Sequence, residues 1–317
     1  MIPSLSIVVP VYNSNDGLRE LIAELEPVLP TLAERYEVIL VDDASRDHSW
    51  RVIQDLSRQH GWVRGIQMMR NYGQHNALLC GIRAASGDVI VTMDDDLEHP
   101  PDQLALLLDK LAEGYDVVYG APQAEQHGIW RDMASQVTKL LLQQSMGIET
   151  ARSISAFRAF HTQLREAFAN YRSPYVSIDV LLTWATTRFA TVRVRHDSRR
   201  YGASNYTFRK LVRHTINMVT GFSVLPLRFA SVLGLIMTAF GLIVLVYVVG
   251  RALVEGIVVP GFAFLASIVA IFSGAQMLVF GIMGEYLSVM HFRSMERPVY
   301  TVRNTTEKQL EHAELIS

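Results

Sequence analysis

Two long apolar runs near the end of the chain restrict its possible folds more than any other feature. The first, 229–249, has no charged residue, and the second, 262–289, is interrupted only by Gln276 and Glu285. A helix needs about 20 apolar residues to cross a bilayer, and both runs reach that length. A pair of buried core helices is the alternative, but two such runs in tandem favour a transmembrane hairpin.

Basic residues are concentrated outside these two runs, whereas the turn between them has only Arg251 against Glu255. The basic residues that flank the runs are Arg209, Lys210, Arg213, Arg228, Arg293, Arg297 and Arg303. The positive-inside rule then predicts that both ends of the chain are cytoplasmic. The predicted domains are a globular domain (1–200), an amphipathic interface segment (201–227), two transmembrane helices (228–290) and a cytoplasmic tail (291–317).

The first 200 residues alternate β-branched runs with apolar residues at helical spacing. Predicted strands cover 6–11, 36–41, 64–69, 89–93 and 190–195, and predicted helices cover 15–32, 44–59 and 71–85. This alternation is typical of an α/β fold whose parallel sheet binds ligands at the carboxyl ends of its strands. The first residues have no basic leader and no cleavage site of small residues, so we expect this domain to stay in the cytoplasm.

Charge and cysteine content exclude two kinds of site. The formal net charge of −2 gives no support for a nucleic-acid partner, which normally requires a basic surface. The only cysteine, Cys80, excludes an intrachain disulfide and a cysteine-based metal site. Because Cys80 lies in an apolar, helical-looking stretch, we expect it to be a buried small hydrophobic residue.

Two groups of carboxylates follow predicted strands. Asp94, Asp95 and Asp96, with Glu98 after them, follow the fourth strand. Their mutual repulsion calls for a cation, and hard oxygen ligands select magnesium or manganese, which usually bind substrate phosphates as well. The alternative is a solvated acidic turn in which Asp96 caps the next helix.

The second group, Asp42 and Asp43, follows the second predicted strand and precedes a helix. An aspartate at this place can accept hydrogen bonds from a nucleobase or ribose, although Ser45 and Asp47 fit a helix-capping alternative. Together with residues 10–13 after the first strand, the two acidic groups would line one rim of the sheet. That arrangement favours a nucleotide ligand.

Five motifs carry a resemblance to a known family. IVVPVYN, VDDASRD, RNYGQHNAL, TMDDDLEHPPD and RRYGASNY, in this order and followed by two apolar runs, resemble the family-two glycosyltransferases that act on polyprenyl phosphates. The resemblance implies a GT-A fold, Rossmann-like with a mostly parallel sheet. It also implies a multi-pass protein of a bacterial inner membrane that makes a lipid-linked sugar for cell-envelope glycan modification, by inverting transfer from a nucleotide-sugar to undecaprenyl phosphate.

The resemblance also implies roles for individual residues. A metal ion, Mg²⁺ or Mn²⁺, would be held by Asp94, Asp96 and Glu98. The nucleotide-sugar, for which a UDP-sugar is favoured, would contact Pro10, Tyr12, Asn13, Asp42, Asp43 and Asp95. The lipid phosphate would contact Arg199, Arg200, Ser204 and Tyr206, and Asp96, Arg131 and Arg199 would be catalytic. Membrane lipid is a further expected partner.

Five positions depart from the family pattern: Ser14, Glu98, Pro122, Arg152 and Asn205. They predict a divergent subgroup, and they also keep open a catalytically silent scaffold that binds a nucleotide-sugar. A processive polysaccharide synthase is another alternative, although the chain lacks a Gln-x-x-Arg-Trp motif. A small transporter is disfavoured because two spans leave no room for a midplane site. Small residues in the apolar runs favour a homo-oligomer, because they let helices approach closely: Gly234, Gly241, Gly274, Ala275, Gly281 and Gly284.

Overall fold

The computed structural model describes residues 1–122, 154–173, 175–197, 224–255 and 261–306. The chain divides into two compact units. The first contains Met1–Val212 together with Arg297–Ser317, and the second is Arg213–Glu296.

One mixed sheet organises the described part of the first unit. Its strands are β1 (Ile2–Val11), β2 (Ala33–Asp42), β3 (Val63–Met68), β4 (Val89–Thr92), β5 (Val117–Pro122), β6 (Arg158–His161), β7 (Phe189–Val194) and β8 (Val302–Thr305). They lie in the order β7-β5-β6-β4-β1-β2-β3-β8. The pairs β1–β2, β1–β4, β2–β3 and β5–β7 are parallel, while β6 and β8 run antiparallel to their neighbours. The predicted Rossmann-like, mostly parallel sheet is confirmed.

Helices pack on both faces of this sheet. They are α1 (Leu18–Leu25), α2 (Leu29–Leu32), α3 (Ser49–Gln59), α4 (Gln74–Ala84), α5 (Leu104–Ala112) and α6 (Ile178–Ala185), with 3₁₀ turns at Pro101–Gln103 and Thr162–Phe168. Side chains alternate along β1, so Ile7 and Val9 join the core formed with α1, α3 and α5. Val8 points to the other face. There Gly81 lets α4 approach the sheet so closely that a Cβ added to Gly81 would lie 2.3 Å from the Val8 side chain.

The helix predictions were right in place but wrong in extent. Residues 15–32 form α1 and α2 instead of one helix, since Pro27 and Pro30 interrupt the backbone hydrogen bonding. The helices predicted over 44–59 and 71–85 begin only at Ser49 and Gln74, because the preceding residues form loops at the strand ends. Cys80 is buried, as predicted.

The predicted tail 291–317 contains a strand that the sequence did not reveal. β8 pairs with β3 and so extends the sheet. The Met69 amide donates to the Thr301 carbonyl over 2.9 Å, and the Gly65 amide donates to Thr306 Oγ1 over 3.0 Å. The first unit is therefore built from both ends of the chain, whereas the sequence limited it to 1–200.

The second unit contains two long helices, α7 (Leu225–Glu255) and α8 (Phe262–Ser294). Of the described helices, one segment, Leu225–Arg251, is long and apolar enough to cross a membrane, with a mean hydropathy of 2.7. The second predicted span lies in α8, and its crossing of a membrane stays a prediction. α7 and α8 pack together where Gly241 faces Phe272, whose ring would lie 3.0 Å from a Cβ. The homo-oligomer and the membrane topology also stay predictions.

Candidate functional site

Backbone strain marks the carboxyl ends of three parallel strands. Among the described residues, four that are not glycine have positive φ, and three of them follow these strands. Asn13 follows β1 (φ 56°), Ala44 follows β2 (55°) and Leu97 lies in the loop after β4 (59°). The fourth, Glu296, follows α8. Such conformations disfavour L-residues by about 1–2 kcal/mol each and cluster at functional sites. Ala44 and Leu97 carry no sequence signal for this conformation.

The loops after β1 and β2 form one hydrogen-bonded rim. Asn13 Oδ1 accepts from the Arg46 amide at 2.8 Å, and the Asn13 amide donates to Ser45 Oγ at 3.0 Å. The Ser14 amide donates to Ser49 Oγ at 2.9 Å. Asn13 therefore fixes the neighbouring loop through its own side chain, and Ser14 contributes a backbone contact that does not depend on its side chain.

Two further residues predicted to contact the nucleotide-sugar differ in their exposure. Pro10 is buried within β1, whereas the Tyr12 side chain is 38% exposed at the strand end. Tyr12 is therefore free to offer its ring to a ligand, and Pro10 shapes the strand beneath it.

Asp42 lies at the end of β2 and is fully buried. Its Oδ1 accepts from the Ser45 amide at 3.0 Å, and its Oδ2 accepts from Gln67 Nε2 at 3.2 Å. Both carboxylate oxygens are thus occupied inside the protein. Asp42 shapes the loop after β2, and its contact with the nucleotide-sugar stays a prediction.

Asp43 holds the loop that leads into α4. Its two carboxylate oxygens accept from the amides of Tyr72, at 2.7 Å, and Gly73, at 2.8 Å. The pKa of Asp43 is raised to about 6, because burial and the charge of Asp42 outweigh the two amide hydrogen bonds, which lower it. Gly73 has φ 95°, a conformation that favours glycine.

Asp94 is the first carboxylate after β4. Its Oδ1 accepts a 2.7 Å hydrogen bond from Gln74 Nε2. Protein atoms crowd Asp94, yet its side chain keeps partial contact with solvent. The pKa of Asp94 is raised to about 7, first by desolvation and then by the charges of Asp96 and Asp95. This repulsion is the electrostatic reason to expect a cation here.

Asp96 shapes the turn of the acidic loop. It is 7% exposed, and its Oδ1 accepts from the Glu98 amide at 3.1 Å across Leu97. The next helical turn begins at Pro101, with Pro100 in the capping position, so the alternative in which Asp96 caps a helix is wrong. Asp95 is partly exposed beside it.

The acidic loop fits a divalent metal that is shared with a substrate. Among the described residues, no three His, Cys, Asp or Glu side chains converge as a metal site. Mg²⁺ is usually bound by one or two carboxylates together with substrate phosphates and waters, and not by a complete protein cage. Asp94 and Asp96 supply hard oxygen ligands in that number.

A buried ion pair beneath the acidic loop was missed in the sequence. Arg158 of β6, 2% exposed, pairs with Asp179, and the Tyr119 hydroxyl donates to the same Asp179 oxygen at 2.9 Å. The positive charge of Arg158 lowers the pKa of Asp94 against the effect of burial. An arginine inside the apolar run AFRAF was the available signal, because a buried arginine needs a partner.

The other predicted residues lie elsewhere. Pro122 is the last residue of β5. Seven predicted residues lie outside the residues that the structure describes: Arg131, Arg152, Arg199, Arg200, Ser204, Asn205 and Tyr206.

Solved structures share this fold. Glucosyl-3-phosphoglycerate synthase from Mycobacterium tuberculosis, in complex with Mn²⁺, UDP and glucosyl-3-phosphoglycerate, matches with a TM-score of 0.52 and 18% identity over 69% of this chain and 78% of that chain. The same enzyme with Mn²⁺, UDP-glucose and phosphoglyceric acid gives a TM-score of 0.51 at 18% identity, over 69% of this chain and 78% of that chain. This likeness confirms the GT-A fold.

Curated relatives match over nearly the whole chain. An undecaprenyl-phosphate 4-deoxy-4-formamido-L-arabinose transferase of Klebsiella pneumoniae (strain 342) is 32% identical over 97% of this chain and 95% of its own length. The protein of that name from Pseudomonas aeruginosa (strain LESB58) is 32% identical over 94% of this chain and 89% of its own length. The family model described as "Glycosyl transferase family 2" matches residues 6–173. The chain therefore belongs to glycosyl transferase family 2.

Proposed function

We propose that this glycosyltransferase transfers a sugar from a nucleotide-sugar to undecaprenyl phosphate and so makes a lipid-linked sugar for modification of cell-envelope glycans. One observation carries the proposal: the 32% identity, over 97% of the chain, to a relative whose name states an undecaprenyl-phosphate acceptor. A UDP-sugar is the favoured donor, because solved structures of the same fold contain UDP or UDP-glucose.

Asp94 and Asp96 are the proposed ligands of a divalent metal, Mg²⁺ or Mn²⁺. When bound, such a metal would offset the negative charge of the donor diphosphate and of the leaving group. The raised pKa of Asp94 supports this assignment, since a nearby cation would favour its ionised form.

The proposed reaction is a direct displacement. An oxygen of the lipid phosphate forms a bond to the anomeric carbon, while the bond from that carbon to the donor diphosphate breaks. The electron pair of the broken bond leaves on the nucleoside diphosphate, and the configuration at the anomeric carbon inverts. No strong general base is needed, because a phosphate monoester is already ionised near neutral pH.

The loops after β1 and β2 form the proposed nucleoside site. Tyr12 is exposed there and offers a ring face to a base. Asp42 and Asp43 are the proposed carboxylate contacts of the nucleoside, and the hydrogen bonds that their oxygens accept from the protein hold the loops around it. Asn13 fixes the same rim, and Asp95 of the acidic loop is a further proposed contact of the nucleotide-sugar.

The acceptor site is proposed at the membrane surface. Five residues predicted from the family resemblance would bind the lipid phosphate or the leaving group: Arg131, Arg199, Arg200, Ser204 and Tyr206. Guanidinium groups suit this task because they bind phosphate oxygens in pairs. The apolar segment Leu225–Arg251 supports an enzyme whose isoprenoid acceptor lies in a bilayer. We further propose a bacterial inner-membrane location with the catalytic domain and both termini cytoplasmic, and a homo-oligomer.

The test is release of nucleoside diphosphate by the full-length protein in detergent. The reaction contains undecaprenyl phosphate, Mg²⁺ or Mn²⁺, and a panel of nucleotide-sugars, and Asp96→Asn is measured in parallel. The proposal predicts release that requires the lipid and is lost in the variant. Nucleotide binding without lipid-dependent release from any donor of the panel would favour the silent-scaffold alternative.

A further inference from the structure

A cavity of about 280 Å³ lies between α4 and the outer strands β3 and β8. Cys80, Arg83 and Ala84 line it from one face of α4, since they are three and four residues apart on the helix. Pockets for small ligands usually measure about 300–1,000 Å³, so this cavity is near the lower end of that range. It belongs to the second half of α4, because Arg83 is about 14 Å along the helix from Gln74, the residue that contacts Asp94.

The packing of α4 on the inner strands explains why this space exists. Gly81 brings α4 against β1 and β2, where an added Cβ would lie 2.3 Å from Val8 and 3.0 Å from Val41. β3 and β8 continue the sheet beyond β2. Adjacent strands are rotated by about 20–25° relative to one another, so the outer strands turn away from a helix that is seated on the inner ones. The cavity is the space that results.

Arg83 brings a positive charge to the cavity without a negative partner. Its Nη2 donates to the carbonyl oxygens of Phe168, at 3.2 Å, and Tyr171, at 3.0 Å, and its guanidinium carbon lies 5.7 Å from the centre of the Tyr300 ring. All three of these partners are neutral. Within the part of the chain that the structure describes, Arg83 forms no ion pair, and its Nε is buried without a hydrogen-bond partner.

The other titratable groups that line the cavity do not supply the missing negative charge. Arg64 adds a second positive charge, which its ion pair with Glu37 compensates. The pKa of Tyr300 is raised and that of Cys80 is raised to about 12, mainly by burial, so both groups are neutral near pH 7. The described residues around the cavity therefore carry one net positive charge, which an anion in the cavity would compensate.

The rest of the lining selects the body of such an anion. Ile66 of β3, Val302 of β8 and Ala84 of α4 are apolar residues that line the cavity. A free phosphate would lose its hydration beside these groups without compensation. A carboxylate with a short aliphatic chain fits both parts of the lining, because its charge pairs with Arg83 and its chain contacts the apolar residues.

We propose that this cavity is a binding site for a monocarboxylate with a short aliphatic chain, and that Arg83 is its anion-binding residue. The ligand contacts α4, β3 and β8 together, and it therefore holds the C-terminal strand more firmly on the sheet. The site is separate from the acidic loop, and it does not depend on the proposed transfer reaction.

The test measures hydrogen exchange of the amides of 63–68 and 302–305 in the full-length protein in detergent, with and without sodium hexanoate. 1-Hexanol has the same chain without the charge, and inorganic phosphate is an anion without the chain. Exchange in β3 and β8 reports on the site, because a ligand that binds only the closed structure makes its opening rarer.

Two variants remove different parts of the site. Arg83→Met removes the charge, whereas Ala84→Met keeps Arg83 and fills the cavity. Arg165→Met is the matched control, because Arg165 also donates to two backbone carbonyls, those of Ile82 and Ala85, and is not part of the described lining.

We expect saturating hexanoate to slow exchange in both segments at least about fivefold, in the wild-type protein and in Arg165→Met alike. 1-Hexanol and phosphate should change the exchange rates by less than about twofold. Arg83→Met and Ala84→Met should both lose the effect of hexanoate. Because Ala84→Met keeps the hydrogen bonds of Arg83, it tests the site even if Arg83→Met destabilises the fold.

Unchanged exchange of the wild-type protein in hexanoate would overturn the proposal. Equal protection by 1-hexanol would show an apolar cavity without an anion site, and equal protection by phosphate would show an anion site without an apolar part, so either result would also overturn it. Protection by hexanoate that persists in Arg83→Met or in Ala84→Met would place the ligand elsewhere on the protein.

Discussion

Gln74 Nε2 donates a 2.7 Å hydrogen bond to Oδ1 of Asp94, which joins the start of α4 to the first carboxylate of the acidic loop. The two residues before Gln74, Tyr72 and Gly73, are held by the carboxylate of Asp43. A single loop thus connects the carboxylates after β2 with those after β4. The two acidic groups that are far apart in the sequence form one hydrogen-bonded structure.

Gln74→Ala should weaken Mn²⁺ binding about tenfold, because Asp94 loses the donor that orients its carboxylate. The thermal unfolding midpoint should change little, since Gln74 is exposed. Gln59→Ala is the control, as Gln59 is also exposed but ends α3. Mn²⁺ titration of the purified protein measures the effect. Equal Kd values for the wild type and Gln74→Ala would show that Asp94 is oriented without Gln74.

The raised pKa of Asp94 predicts a pH-dependent stability of the metal-free protein. Its pKa in the folded state, about 7, lies above the unfolded value of 3.8, so the folded state keeps a proton that the unfolded chain has already lost. The contribution of Asp94 to the free energy of unfolding is therefore fully present below about pH 4 and is lost as the pH rises through 7. Because Asp94 is partly exposed, we expect a loss of about 1–2 kcal/mol.

Asp94→Asn removes this titration, so the variant should become more stable than the wild type as the pH rises from 4 to 8. Thermal midpoints at several pH values in a chelating buffer measure the difference between the two proteins. Parallel pH profiles for both proteins would show that Asp94 ionises normally.

The central strands and the acidic rim were predictable because each depends on a local pattern. β1 and β4 are β-branched runs, and the acidic residues stand directly after strands, where parallel topology brings them to one edge. β8 was not predictable, because the sequence VRNT is short and polar, as edge strands often are. Its pairing with β3 depends on a contact more than 230 residues away in the chain.

The hydrogen-bond partners of the rim residues could not be predicted from the sequence. The contact of Asp42 and Asp43 with the nucleotide-sugar stays a prediction, while the structure shows that their oxygens also accept hydrogen bonds from Gln67 and from the Tyr72 loop. Such long-range partners follow from packing and leave no local pattern. The contact of Glu98 with His196 is of the same kind.

The strained backbone at Ala44 predicts opposite effects for two substitutions. Ala44→Gly should raise stability by about 0.5 kcal/mol, because relief of the positive φ slightly exceeds the added freedom of the unfolded chain. Ala44→Val should lower stability by more than about 1 kcal/mol, since a β-branched residue is disfavoured there. Thermal unfolding of both variants measures this. If Ala44→Val were more stable than the wild type, the backbone at Ala44 would not be strained.

The buried pair of Arg158 and Asp179 should be far more sensitive to the loss of one charge than to the loss of its hydroxyl partner. Arg158→Met leaves Asp179 buried and unpaired, which should destabilise the protein by about 3–5 kcal/mol. Tyr119→Phe removes one hydrogen bond and should cost about 1 kcal/mol. Arg158→Met should also raise the pKa of Asp94, because the opposing charge is lost. Similar stabilities for the two variants would show that Asp179 has another partner.

The hydrogen bond between Thr306 and Gly65 should help to hold β8 on the sheet. Its Oγ1 accepts from the buried Gly65 amide, and a Cβ at Gly65 would lie 2.8 Å from the Thr306 methyl group. Thr306→Val keeps the shape but leaves the Gly65 amide without its acceptor, so stability should fall by about 1–3 kcal/mol. Thr306→Ser keeps the acceptor and should lose less. Thermal unfolding and hydrogen exchange at Gly65 measure both variants. If the Gly65 amide exchanges at the same rate in Thr306→Val and Thr306→Ser, β8 is held by its pairing with β3 and not by this hydroxyl.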